Sequence, residues 1–190
     1  MLVPYVDLID VIGLGNHETS TLKYQDFDLV DMLITLLNER RNTSLQPICH
    51  GGYTGFIRFV YTRNGGHGRK FDVFYNHGQG GNAEVTDGII DLKRYCSWVS
   101  SDLIWLGHKH KRLAVELPVQ MSVSSKNNLT FRRRYGVITG CYEKIADVYD
   151  IKKEGYKLNF GEERQRMPQA QHGVMLRQTA GKELQTELLF

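Results

Sequence analysis

Cysteine is scarce in this chain and forms no pattern. Cys49, Cys96 and Cys141 are odd in number, and no CxxC spacing joins any two of them. That excludes a disulfide framework and fits reduced thiols inside a cell. Long hydrophobic runs are missing as well. A bilayer-crossing helix needs about 20 such residues. The first residues show neither the basic segment nor the apolar core of a secretory leader. The expectation is a cytoplasmic protein with no membrane contact. An excess of one charge is also lacking. A net charge of +3 is too small to imply a nucleic-acid partner by itself. No internal repeat or low-complexity tract is present.

What is present is the material of a globular domain. The chain has 190 residues, 41% of them hydrophobic and 24% charged, enough for one domain with a real core. The informative feature is a recurrence. Val11-Ile12-Gly13-Leu14 reads as a short buried strand and runs into Gly15-Asn16-His17-Glu18. Phe71 to His77 (FDVFYNH) reads as a strand ending in a His, followed by Gly78, Gly80 and Gly81. Leu103 to His110 (LIWLGHKH) reads as a strand, a Gly turn and two His spaced i, i+2. Three apolar strands thus deliver Asn or His at their C-terminal ends, where open α/β sheets place their chemistry. Amide oxygen and imidazole nitrogen suit borderline metals such as Zn, Mn, Fe or Ni. The glycines after His77 free backbone N–H groups to approach an anion, which makes Gly78 a candidate contact. Lys109, Lys111 and Arg112 flank the His pair and are placed to draw an anionic substrate.

Gly15-Asn16-His17-Glu18, the strand-end His77 and Gly107-His108-Lys109-His110 resemble the calcineurin-like metallophosphoesterases. Three blocks of that family, Gly-Asn-His-Asp/Glu, a strand-end His and Gly-His-x-His, occur here in order. The resemblance implies an α/β fold, a partial metallophosphoesterase-type β-sandwich flanked by helices. It implies hydrolysis of phosphomono- or phosphodiesters, nucleic acid among them, at a site of two divalent ions. Asn16, His77 and His108 would hold one ion and His110 the other. His17 would steady a phosphoryl oxygen or protonate the leaving group, and Glu18 would stand behind the ligands.

Two family blocks that precede these, Asp-x-His and Gly-Asp-x-x-Asp, are missing. Asp7 and Asp10 are the nearest acidic residues upstream of Asn16, and neither follows a Gly. The carboxylate that bridges the ions is therefore absent, and two close cations repel strongly without it. The expectation is a partial chain that binds one metal weakly or none, with the missing part supplied elsewhere, as a separate chain for instance. On this reading residues 1–143 are the C-terminal part of a phosphoesterase domain, and residues 144–190 are an extension with an edge strand and a tail. A competing reading makes the chain a non-catalytic remnant that binds nucleic acid or a protein partner through Lys109 to Arg112 and Arg132 to Arg134.

Local pattern predicts the remaining elements. Phe27, Val30, Leu33, Ile34 and Leu37 fall at helical spacing, so a surface helix is expected over Phe27–Arg41. Its acidic residues come early and Arg40-Arg41 late, with Arg41 on an outer face. The stretch after Glu18 reads as a polar turn. Asn42 to Tyr53 reads as a loop carrying His50. Phe56–Tyr61 and Phe71–Tyr75 are expected to form a hairpin about a turn that contains His67. A helix should run from Thr86-Asp87-Gly88 to about Ser100, burying Ile89, Leu92 or Lys93, Cys96 and Val99. Asp102–Leu106 should be the next strand of a βαβ-like unit. Three further strands are expected at Ala114–Val123, Asn128–Tyr135 and Gly136–Tyr142. Alternation along Arg132-Arg133-Arg134 is read as one Arg inward and two outward. Tyr142–Phe160 reads as loop and edge, Gly161–Gln171 as polar chain, and Val174–Phe190 as a last strand and tail.

Overall fold

The fold is described from a computed structural model, over residues 2–63, 66–79, 88–109, 112–140, 174–180 and 184–189. It is a mixed α/β protein dominated by strands. The chain divides into two compact units, Met1–Ile57 with Phe74–His77, and Arg58–Val73 with Gly78–Phe190. Among the described residues no helix is long and apolar enough to cross a membrane.

The first unit begins with a 3-10 turn, Val3–Leu8, followed by β1 (Val11–Gly13), α1 (Asn16–Gln25), α2 (Leu29–Asn38) and β2 (Cys49–Gly52). β1 and β2 pair in parallel, Val11 opposite Cys49 and Ile12 opposite His50. Parallel partners need a long crossover, which α1 and α2 supply. Val30, Ile34 and Leu37 of α2 are buried with Val6 and Ile48, and Ile9, Ile12, Leu14 and Leu33 pack against them. The helical stripe read from the sequence is thus the core face, but the helix is shorter at both ends. Asp28 stops it at the front, accepting N–H bonds of 2.9 Å from Val30 and Asp31. That cap leaves Phe27 outside the helix and exposed.

Four expectations for this unit are corrected. The stretch after Glu18 is α1 rather than a turn. It has no buried residue, so it lacks the apolar periodicity that marks a helix. Cys49–Gly52, read as loop, is β2, a strand defined by its pairing with β1. Arg41 is buried rather than on an outer face. Its guanidinium donates to the carbonyls of Val6 and Ile9 and to Asp10. β1 itself is half-buried to exposed rather than buried.

The second unit is built on a five-stranded sheet. Its elements are residues 58–63 of β3 (Thr54–Arg63) and 66–73 of β4 (Gly66–Asn76), whose other residues belong to the first unit, with α3 (Ile89–Trp98), β5 (Leu103–Leu106), β6 (Leu113–Val123) and β7 (Leu129–Ile138). The strand order is β3-β4-β5-β7-β6. β3 and β4 are neighbours as the predicted hairpin requires, although His67 falls within β4 rather than in a turn. β5 lies parallel to β7, and β6 antiparallel to it. α3 buries Leu92, and Val99 at its C-cap is buried as well, while Ile89 and Cys96 are half-buried and Lys93 is exposed. Leu92, Ile104, Leu106 and Ile138 are fully buried, worth roughly 2 kcal/mol each in transfer from water. Two last strands, β8 (Met175–Ala180) and β9 (Leu184–Leu189), form a hairpin where a single strand was expected. The expectations for Thr86, Asp87 and Tyr142–Gln171 lie outside the described residues.

Two further readings give way here. β7 is one strand, not two, because Gly136 continues the ladder between Ile104 and Val115. A Cβ there would lie 3.0 Å from a Leu92 methyl, so the glycine marks the close approach of α3 and not a strand break. In the arginine run the count is reversed. Arg132 is half-buried and Arg134 buried, while only Arg133 is exposed.

Arg132 belongs to a network that ties strands together. It donates to both oxygens of Asp102 and to Asp72, and Arg58 grips Asp72 at 2.6 and 3.1 Å. The Arg58 hydrogen bond, with Arg132 beyond it, holds the Asp72 carboxyl below its ordinary pKa. A depressed carboxyl contributes stability above its unfolded pKa of about 3.9 and loses it as pH falls through the folded value. Arg58 is well exposed, so the expected contribution is only about 1 kcal/mol. Asp72→Asn should lower the melting temperature at neutral pH, and the gap to wild type should narrow toward about pH 3. Thermal melts at the two pH values measure it, and a gap that widens in acid would refute the assignment.

Candidate metal centre

In the first unit β1 ends at Gly13, and Leu14 N–H is fixed by the carbonyl of Gly52 at 2.8 Å. Gly15 then caps α1 from outside, and Asn16 and His17 open its first turn. Glu18 reaches back to accept the Gly15 N–H at 3.1 Å, half of a capping box. A Cβ on residue 15 would lie 2.7 Å from Glu18 Oε2 and 2.9 Å from His77 Cε1. A side chain here would have to displace the ends of the Glu18 and His77 side chains, while φ is an ordinary −106°. Beside this glycine Asn16 Oδ1 meets His77 Nε2 at 3.0 Å. His77 is anchored at both ends. Its N–H donates to Tyr53 O at 2.9 Å, and its ring stands edge-on to the Tyr53 ring at 5.1 Å.

Tyr53 was not among the residues singled out from the sequence. Its only local signal is an aromatic after two glycines, which many loops share. Nearby, Tyr75 donates its hydroxyl to Gly51 O, and burial pushes its pKa up. A Cβ at Gly55 would lie 2.5 Å from that hydroxyl, which accounts for a glycine in β3. His17 is exposed. His50 is engaged within β2. Its Nδ1 accepts from Gly52 N–H at 3.2 Å, and its Nε2 faces Asp28 at 3.5 Å.

In the second unit β5 ends at Leu106 and Gly107 turns the chain. His108 has φ +64°, and Lys109 N–H bonds back to Gly107 O at 2.8 Å. This is a γ-turn with positive φ at its centre, a rare and strained form. Strain of that kind costs about 1–3 kcal/mol and gathers at functional sites. At His108 the chain is therefore no longer extended. Gly78, at φ +90°, lies so close to this turn that a Cβ would stand 2.8 Å from Gly107 O. Lys109 is 5% exposed at its side chain, with its ammonium 2.7 Å from Asp91, so a carboxylate already offsets its charge. His110, Lys111, Gly80 and Gly81 lie outside the described residues.

The structure thus brings Asn16 and His77 together in one unit and sets His108 and Gly78 at a turn in the other. Among the described residues no group of three or more His, Cys, Asp or Glu is arranged to hold a metal ion. Asn16 Oδ1 and His77 Nε2 are joined by a hydrogen bond of 3.0 Å. Comparison with known protein families, with curated proteins and with solved structures returns no match for this chain.

Proposed function

We propose that this chain carries part of a two-metal phosphoesterase centre acting on phosphomono- or phosphodiesters. The observation that supports it is the Asn16–His77 pair, an amide oxygen and an imidazole nitrogen from segments far apart in sequence brought into hydrogen-bond contact at 3.0 Å just beyond two strand ends. On this reading Asn16, His77 and His108 hold one divalent ion and His110 the other. The remaining ligands, carboxylates above all, come from a segment outside these residues, fused or separate. The ions, Mn, Zn, Fe or Ni, supply Lewis-acid polarisation of phosphoryl oxygen and an activated water at neutral pH. The chain's own part is positioning. Tyr53 sets the His77 ring, Glu18 fixes the turn that presents Asn16, and His17 stands exposed beside Asn16 to hand a proton to the leaving-group oxygen.

Calorimetric titration with Mn tests the ligand set. Two imidazoles and an amide bring no charge to offset the desolvation of a dication, so the expected binding is weak. His77→Ala and His108→Ala should each abolish it, and His67→Ala should leave it intact. Equal loss in all three variants, or binding indifferent to His77, would sink the proposal.

A further inference from the structure

α3 buries Leu92, and beside that buried face it carries a second stripe. Asp91, Arg94, Tyr95 and Trp98 recur at i, i+3, i+4 and i+7, so they share one flank of the helix. That flank and the turn after β5 border a cavity of about 370 Å³ within the second unit. Ligand pockets begin at about 300 Å³. Lys109 closes the end at the first turn of α3, its ammonium 2.7 Å from Asp91. Gly78 lines the cavity there as well, against the backbone of Gly107. Tyr95 and Trp98 stand at the other end, in the last turn of the helix. The step from Asp91 to Trp98 spans roughly 10 Å of helix.

The two ends differ in chemistry. Lys109 and Asp91 satisfy each other, so they form a fixed wall rather than a ligand contact. Arg94 reaches the same carboxylate only at 3.5 Å, and its side chain is 71% exposed. A bond that long and that wet is weak, so the guanidinium can turn to an anion in the groove at little cost. Two cations stand against one carboxylate here, which favours an anionic ligand. At the far end the Tyr95 and Trp98 rings lie 5.3 Å apart at 45°, and Trp98 is 65% exposed. Tyr95 braces the indole. The exposed part of the indole is a flat platform of the kind on which a nucleobase stacks. A sugar phosphate or a phosphoserine would leave that platform bare. A phosphotyrosine carries its phosphate on the ring itself and does not bridge the groove from Trp98 toward the turn.

We propose that this groove binds a nucleotide, its base on Trp98 and its phosphate drawn by Arg94 toward the turn that carries His108. The substrate class this gives to that turn rests on the phosphoesterase reading, but the binding itself needs no metal and none of the candidate ligands. The chain has 2 tryptophans, so Trp105→Phe leaves Trp98 as the sole fluorophore of its kind. Adenosine monophosphate added to that protein, free of metal, should quench its emission saturably. Calorimetry on the otherwise unaltered chain supplies the variants. Trp98→Ala should weaken binding roughly 5- to 150-fold, the worth of one base–aromatic stack. Trp98→Phe should keep most of the affinity, which separates stacking from misfolding. Arg94→Ala should weaken adenosine monophosphate and leave adenosine unchanged. Inorganic phosphate or phosphotyrosine binding as tightly as adenosine monophosphate would overturn the proposal, and so would saturating nucleotide without quenching. Quenching by nucleotide in a protein whose Mn titration is indifferent to His77 would uphold the groove and remove the phosphoesterase reading.

Discussion

An aryl phosphodiester incubated with Mn and this chain alone is expected to turn over no faster than in buffer. The same assay, with a segment supplying Asp-x-His and Gly-Asp-x-x-Asp blocks added or fused, is expected to give enzymatic turnover. The reason is the donor set. Asn16, His77 and His108 are neutral, and two close cations need an anionic bridge between them. Among the described residues the acidic side chains nearest Asn16 in sequence already have partners. Glu18 is committed to the Gly15 N–H, and Asp10 to Arg41. In the completed protein His17→Ala should cost about 100- to 10,000-fold in kcat, the usual worth of a general acid. His17 is exposed at the start of α1 and makes no packing contact with the core, so its loss should leave stability unchanged. A drop in KM-limited rate alone, with kcat intact, would assign it to binding instead. Strong His77-dependent activity from the unsupplemented chain would show that residues such as Asp7 replace the absent ligands.

Replacing Arg134 is expected to have the largest effect on stability. Its guanidinium is buried without a carboxylate and is satisfied by carbonyls alone. It donates to Cys96 O at 3.0 Å and Val99 O at 3.3 Å, and to Pro118 O at 3.2 and 3.3 Å. Cys96 and Val99 close the C-terminal turn of α3, whose last carbonyls have no partner in the helix and carry the negative end of its dipole. Pro118 lies in β6 where the register with β7 shifts between Leu117 and Gln120. One side chain therefore caps a helix and closes a bulge. Arg134→Met keeps the apolar stem and strands three carbonyls. At about 1–3 kcal/mol for a buried unsatisfied group, the loss should be on the order of 3 kcal/mol. Thermal melts should show a drop of about 10 °C. Arg134→Lys should recover only part of it, because an ammonium cannot span the fork. By contrast Arg133→Met, one residue away and exposed, should be neutral within about 0.5 kcal/mol. Equal effects from both would mean that the carbonyl cage is not what holds α3.

That contrast shows where sequence reading stopped. Alternation along three arginines permits one inward and two outward, or two inward and one outward. The choice depends on which face of β7 meets α3, which is a long-range fact. The same holds for Gly136. It reads as a break, yet it is the point where Leu92 presses on the sheet.

The chain's own pattern determined the elements whose energy is local or periodic. The stripe of Val30, Ile34 and Leu37 announced α2, and Leu92 and Val99 announced α3. Apolar runs announced β4 and β5, and with them the placing of His77 and His108 just beyond strand ends. Gly-Asn-His-Glu announced a turn that presents Asn16. Tertiary structure alone decided the rest. α1 buries nothing, so no periodicity could mark it. β2 is a strand only because β1 lies beside it. His108 leaves the extended conformation for a strained turn, against which the backbone of Gly78 packs at Gly107. Asn16 and His77 are 61 residues apart, and their hydrogen bond forms beside a residue 15 that carries no side chain. Hydrophobic periodicity is written within one or two turns of chain. Pairing, crowding and the burial of a charge are settled between segments that the sequence holds far apart.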